Sequence, residues 1–163
     1  MHVIFVCLGN ICRSPTAEAV MKELVRDAGL EDRITVDSAG TGDWHVGSPA
    51  DPRTIAAAER RGIRIAGVGR QVTPEDLEHA DRILALDASN LANLRAMPAS
   101  VDARERIRLL RSYDPEAVAI GELDVPDPYT GGPEGFDLVI DQVRAACAGL
   151  LDELRAELET EPV

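Results

Sequence analysis

Aromatic side chains are scarce in this sequence. Two Phe, two Tyr and one Trp make up 3% of 163 residues, so a core must be built from Leu, Ile, Val and Ala. Cysteine is scarce as well. Cys7, Cys12 and Cys147 are too few, and odd in number, for a disulfide framework, and a reduced cytoplasmic setting is expected. No apolar run approaches the ~18 residues of a membrane helix. The opening residues, Met1 to Cys7, carry no basic segment and no small-residue cleavage site, so no secretion signal is expected. Positive charge is short too. Lys plus Arg number 17 against 29 Asp plus Glu, a net charge of −12, and Lys22 is the only lysine. Such a chain lacks the basic face needed to neutralise nucleic-acid phosphates or to dock on an anionic membrane. The three histidines, His2, His45 and His79, stand apart in the sequence. They form no His/Asp metal motif, and neither a metal nor any other cofactor is expected.

Hydrophobic residues reach 45%, enough for a true core and too many for a disordered chain. The length fits one domain, expected over residues 1–159, with a frayed tail at 160–163. His2 to Cys7 is short, apolar and largely β-branched, which predicts a strand buried on both faces. Ser14-Pro15-Thr16-Ala17-Glu18 predicts a helix start, with Ser14 as cap, Pro15 at the first helical position and Glu18 in the first turn. That helix should stop at Gly29. Further strands are expected at Ile34–Val36, Ile83–Leu86 and Ile107–Leu110. Helices are expected at Pro52–Arg61, from Asp87 or Ser89 to just before Pro98, and at Asp137–Glu159. The last carries Val139, Val143, Cys147, Leu150, Leu154 and Leu158 on one stripe. Between 112 and 135 a loop rich in Pro, Gly and Asp is expected. Alternating strands and helices predict an α/β fold with a parallel sheet covered on both faces. In such folds ligands bind at the carboxyl ends of the strands.

The first such end reads Cys7-Leu8-Gly9-Asn10-Ile11-Cys12-Arg13-Ser14. A loop closing onto a helix N-terminus can turn several backbone N–H groups toward one anion. Gly9 permits backbone geometry that a side chain would forbid. Arg13 can place its planar fork on two phosphate oxygens. Cys7 lies at the base of this cradle, and a positive setting of this kind brings a cysteine pKa down to about 3.5–7.5. A thiolate beneath a phosphate-sized pocket is a nucleophile aimed at phosphorus. The plainer alternative is a buried strand-end Cys with an Arg on a surface loop.

Val6 to Pro15 closely resembles the signature of the low-molecular-weight protein tyrosine phosphatases, bacterial type. The resemblance extends along nearly the whole chain. Asp37-Ser38-Ala39-Gly40-Thr41 with Trp44, then Asp51-Pro52-Arg53, Arg70-Gln71 and Ile83 through Leu91 are similar to family segments. Val125-Pro126-Asp127-Pro128-Tyr129 resembles the family's acid loop and sits late in the chain, as the family requires. The resemblance implies a three-layer fold with a four-stranded parallel sheet in the order 2-1-3-4. It implies phosphotyrosine hydrolysis with Cys7 as nucleophile, Arg13 as phosphate ligand and Asp127 as general acid and then base. Without the resemblance, Asp127 would read as a solvated loop carboxylate.

By the same resemblance residues 8–14 form the phosphate-binding loop. Asn10, Ser14 and Ser38 form a supporting hydrogen-bond network, although Asn10 alone reads equally as a turn residue. Leu8, Ile11, Trp44, His45 and Tyr129 are expected as pocket walls, and two rings beside an anion site suit a flat aryl phosphate. Trp44 could instead cover a core edge. Cys12 reads either as a small buried residue or as a partner for a reversible disulfide with Cys7, while Cys147 belongs to the core. Two departures stand out. Thr130 replaces a second aromatic common in the family, and Ala66-Gly67-Val68-Gly69 lacks a histidine that many eukaryotic members carry.

Related activities leave different marks. Arsenate reductases need two further cysteines, and none lies between Cys12 and Cys147. Protein-arginine phosphatases resemble the family but typically place Thr where this chain has Ile11. A non-catalytic phosphotyrosine-binding module would lose Cys7 or Asp127. A flavodoxin-like carrier would want flavin-stacking aromatics and no nucleophile. The expected partners are phosphotyrosine proteins, a bacterial tyrosine kinase or its targets among them, and the expected state is a monomer. The abundance of Ala and Arg suggests a GC-rich bacterial genome.

Overall fold

Strand β1, His2–Cys7, is buried over five of its six residues. Its alternation divides the interior in two. Val3, Phe5 and Cys7 face one hydrophobic cluster, and Ile4 and Val6 face the other. The computed structural model describes residues 1–162, and β1 is central in its sheet. It pairs in parallel with β2, Thr35–Gly40, on one side and β3, Arg82–Ala85, on the other. β4, Ile107–Leu109, pairs with β3. The four strands are all parallel in the order β2-β1-β3-β4, the α/β topology that the resemblance implies.

On one face lie α1, Arg13–Asp27, α2, Pro52–Glu59, and the long α7, Glu134–Thr160. The stripe from Val139 to Leu158 is buried, Cys147 included. Each fully buried Leu or Val contributes roughly 1.5–3 kcal/mol. The opposite face is covered by α3, Pro74–His79, α4, Ala88–Arg95, and α5, Val101–Glu105, through Leu77, Leu94 and Ala103. A 3₁₀ turn at Leu110–Tyr113 and α6, Pro115–Ile120, follow β4.

Several boundaries differ from expectation. β2 extends to Gly40 rather than ending at Val36, because Asp37 and Ser38 find polar partners while their backbone pairs with β1. Ile34 precedes the strand. β3 starts at Arg82, and Leu110 opens the 3₁₀ turn rather than closing β4. α2 ends at Glu59, and α7 begins three residues before Asp137. Three short helices, α3, α5 and α6, were not expected. Thr73, Ser100 and Asp114 cap them, and α6 lies inside the supposed loop. Asp87, not Ser89, caps α4. Ser14 is not a cap. Helix α1 starts at Arg13 after Cys12, which makes no side-chain cap bond, so Pro15 stands third in the helix. Glu18 therefore lies beyond the first turn. Of the expected tail, Thr160 is the last residue of α7, and Val163 lies outside the described residues.

α7 approaches the 3₁₀ turn so closely that Gly149 has no room for a side chain. A Cβ there would sit 1.9 Å from the carbonyl oxygen of Tyr113. Gly149→Ala should therefore force the two elements apart at a cost of about 1–3 kcal/mol. Calorimetry should register this as a melting temperature lowered by roughly 3–10 °C. An unchanged melting temperature would show that the helix and turn slide without penalty.

Candidate active site

The site is built at the carboxyl ends of β1 and β3, where the chain leaves the sheet. Cys7 ends β1 and is 2% exposed. The turn that follows is held by Asn10, whose backbone is left-handed at φ 57°, a conformation that Asn tolerates better than most residues. Its side-chain amide uses both N–H bonds. Nδ2 donates to Ser14 Oγ at 2.8 Å and to Ser38 Oγ at 3.0 Å. Its Oδ1 accepts the backbone N–H of Arg70 at 3.0 Å. Across the loop, Gly40 lies against the Leu8 carbonyl, where a Cβ would come within 2.7 Å of the oxygen.

Counting hydrogens gives this network a direction. Glu18 Oε1 accepts the only hydroxyl proton of Ser38, at 2.7 Å. Ser38 must then accept from Asn10, and Asn10 presents its second N–H to Ser14. The proton of Ser14 is thereby free for Cys7, whose Sγ lies 3.0 Å away, against 3.4 Å to the Ala39 carbonyl. The predicted supporting residues Asn10, Ser14 and Ser38 are thus brought together and buried. Glu18, which the sequence marked only as helix-start charge, terminates the chain.

Arg13 is 3% exposed, and its Nη1 donates to Asp87 Oδ2 at 2.6 Å and to the Val125 carbonyl at 2.9 Å. Nη2 lies 3.7 Å from Asp127 Oδ2. Burial works against the guanidinium charge. The Asp87 hydrogen bond and the negative potential of Cys7, Asp87 and Asp127 more than offset it, so the pKa of Arg13 is raised. Asp127 itself is about half exposed, and its Oδ1 accepts the Tyr129 N–H at 3.1 Å.

Cys7, Arg13 and Asp127 line one cavity of about 170 Å³, together with Gly9 and Cys12. All five expected wall residues border it: Leu8, Ile11, Trp44, His45 and Tyr129. Ile11 is nearly buried, whereas Trp44 at 70% and Tyr129 at 49% stand open at the rim. Burial pushes the Cys12 thiol up to about 11, with Thr54 opposing and nearby acidic groups adding to the rise. Burial likewise raises Cys147. Both are therefore thiols at neutral pH, and all three cysteines are free. Among the described residues, no group of three or more His, Cys, Asp or Glu is arranged to hold a metal ion.

Two further elements brace the cavity. Asp51 accepts from Arg53 through both carboxylate oxygens, at 3.1 and 2.8 Å, while its backbone N–H donates to the Ile11 carbonyl. Arg53, chiefly by hydrogen bonding, holds the Asp51 carboxyl below its usual range. The Arg53 guanidinium lies 5.3 Å from the Tyr129 ring centre and 4.8 Å from that of Phe136. Arg70 joins Asp37 of β2 to Asp76 of α3. Asp87, Arg53 and Arg70 had no site role in the sequence reading. Only Asp87 carried a usable signal, as a carboxylate at the end of a central strand.

The family model for the low molecular weight phosphotyrosine protein phosphatases matches residues 2–160. A low molecular weight protein-tyrosine-phosphatase of Streptomyces coelicolor is 49% identical over 158 residues, covering 97% of this chain and 96% of that one. A crystal structure of a protein tyrosine phosphatase from Entamoeba histolytica superposes with a TM-score of 0.90 at 37% identity, covering 96% and 98% of the two chains. An arginine phosphatase of Drosophila superposes at 0.84 with 34% identity, covering 95% and 98%.

Asn10 concentrates three hydrogen bonds and a left-handed backbone in one residue. Asn10→Ala should lower stability by about 2–4 kcal/mol, from lost bonds and backbone strain together. Amide exchange at residues 8–13 should also accelerate at least about tenfold. A loop that keeps its protection in this variant would mean that the backbone holds itself.

Proposed function

Because this chain belongs to the low molecular weight phosphotyrosine protein phosphatase family, whose members are cysteine-dependent phosphatases, we propose that it hydrolyses phosphotyrosine in proteins through a phosphocysteine intermediate. One observation carries this reading: Cys7, Arg13 and Asp127 share a cavity whose rim holds Trp44 and Tyr129. In the first step Cys7 Sγ attacks phosphorus and the bond to the tyrosine oxygen breaks. Asp127, in its acid form, gives the departing phenolate its proton. In the second step Asp127 takes a proton from water as the water attacks phosphorus. The sulfur–phosphorus bond breaks and inorganic phosphate leaves.

The loop at residues 8–14 is proposed as the phosphate cradle. Arg13 and the backbone N–H groups at the start of α1 hold the equatorial oxygens and supply the positive field that phosphoryl transfer needs. Ser14 donates to the sulfur when it is ionised and when it departs from phosphorus. This favours the thiolate both as nucleophile and as leaving group. Ile11 and the two rim rings favour a flat aryl ester. Phosphoarginine is the competing substrate, on the likeness to the Drosophila arginine phosphatase. The Cys12 thiol, on the same cavity, is proposed to form a reversible disulfide with Cys7 under oxidation. No helix among the described residues is long and apolar enough to cross a membrane. Three free thiols accord with work in the cytoplasm. We take the enzyme as a monomeric domain over residues 1–159 acting on a bacterial tyrosine kinase or its targets.

Phosphate release measured with excess chelator should occur from a phosphotyrosine peptide and be far slower from phosphoserine and phosphoarginine substrates. Cys7→Ser should abolish it. Asp127→Ala should slow it by about 10²–10⁴-fold. Preference for phosphoarginine would overturn the substrate assignment. Retained binding with no release from any substrate would make the chain a phosphotyrosine-binding module.

A further inference from the structure

Arg111 lies behind the loop that carries Asp127 and takes no part in the cavity. It belongs to the 3₁₀ turn after β4 and is 7% exposed. A guanidinium so buried usually faces a carboxylate. Here the side chain's hydrogen bond goes instead to a backbone oxygen, from Nη1 to the Asp124 carbonyl at 2.9 Å, and its buried Nε has no partner. Such a placement loses hydration and, among the described residues, gains no ion pair, so its value must lie in what it holds.

It holds the root of the acid loop. Asp124 is also fixed from the other side, where its Oδ1 accepts the N–H of Ala88, the first residue of α4, at 2.9 Å. The next residue, Val125, is fully buried. Its N–H donates to the Leu86 carbonyl at 2.8 Å and its own carbonyl accepts from Arg13 at 2.9 Å. Beyond Val125 the chain is Pro126-Asp127-Pro128, and the two prolines restrict φ on either side of Asp127. With few free torsions between them, the orientation of the 124–125 peptide bears directly on where the Asp127 carboxylate lies. Leu86 and Ala88 hold Val125 and Asp124 from the end of β3, and Arg111 holds the Asp124 carbonyl from the 3₁₀ turn after β4.

We propose that Arg111 is a positioning residue for proton transfer, holding through the Asp124 carbonyl the peptide from which Asp127 projects. This role rests on Asp127 being the proton donor. Without Arg111 the Asp124 carbonyl loses its partner, the 124–125 peptide rotates, and Asp127 leaves the line to the phenolic oxygen. The phosphate cradle, built from β1 and α1, stays in place.

The test is the dependence of kcat/KM on the leaving group, because this parameter covers the steps up to release of the phenol. Aryl phosphates whose phenols span a pKa of about 4 to 10 separate substrates that need a proton from those that do not. Arg111→Met should lower kcat/KM about tenfold for the most basic phenol and less than about twofold for the most acidic one, with inhibition by inorganic phosphate unchanged. Arg111→Gln, which keeps an N–H donor on a shorter stem, should show the same selective loss, smaller in size. It carries the test if the Met variant does not fold. An equal fall across all leaving groups, or none, would overturn the proposal. Asp127→Ala run in parallel separates the two assignments. If Asp127→Ala shows no dependence on the leaving group, the proton donor is wrong and the role of Arg111 falls with it. If Asp127→Ala is selective and neither folded Arg111 variant is, only the role of Arg111 falls.

Discussion

A buried guanidinium is the constraint around which this structure closes. Arg13 has lost its water, and a charge in that position requires partners from the protein. They come from the end of β3, as Asp87, and from a segment 112 residues beyond Arg13, as the Val125 carbonyl. One side chain at the start of α1 thus fastens the loop after β1, the end of β3 and the loop that carries Asp127 to one another. The sheet order supports this, because β1 and β3 are neighbours and their carboxyl ends meet. Asp87 does a second task at the same time, accepting the Asn90 N–H through its other oxygen and so capping α4.

The other organising feature is the directed chain of hydrogen bonds that ends on sulfur. Its polarity is set by a carboxylate, Glu18, which can only accept when ionised. Ser38, Asn10 and Ser14 pass this direction along to Cys7. Every link is buried or half-buried, where hydrogen bonds are stronger and a broken one is costly. The polar character of β2, which made its boundary hard to read, arises here. Ser38 occupies a strand position as a link in the network, and Asp37 does so as the partner of Arg70.

Much of this was legible in the sequence. β1, α1 and α7 were readable because their apolar periodicity is long or unbroken. The loop from Cys7 to Ser14 stood out because its residues are contiguous, whereas Asp127 stood out only through the likeness to a family segment, since alone it reads as a solvated loop carboxylate. The rest depends on tertiary contact. Helices of five or six residues show too little periodicity to be seen, although Thr73-Pro74 and Asp114-Pro115 carry start signals. Asp87 and Glu18 could not be assigned, because their partners lie 74 and 20 residues away. Of the two roles expected of Ser14, the contact within the network is present and the helix cap is not. Its hydroxyl suits a helix cap, but α1 starts one residue earlier, at Arg13, and the hydroxyl bonds Asn10 and Cys7 instead.

The pairing of Arg13 with Asp87 also sets the range over which the pocket can attract a ligand. Its positive charge is compensated inside the protein before any anion arrives, and Asp127 adds a further carboxylate at the mouth. An anion nearing the pocket meets a chain whose net charge is −12, and at physiological ionic strength that field is screened beyond a Debye length of about 8 Å. The net charge therefore offers an anion no long-range attraction, and added salt weakens the repulsion that acts at shorter range. What the pocket offers a ligand lies at contact range, in a buried guanidinium and the rings at its rim, and not in electrostatic capture from a distance.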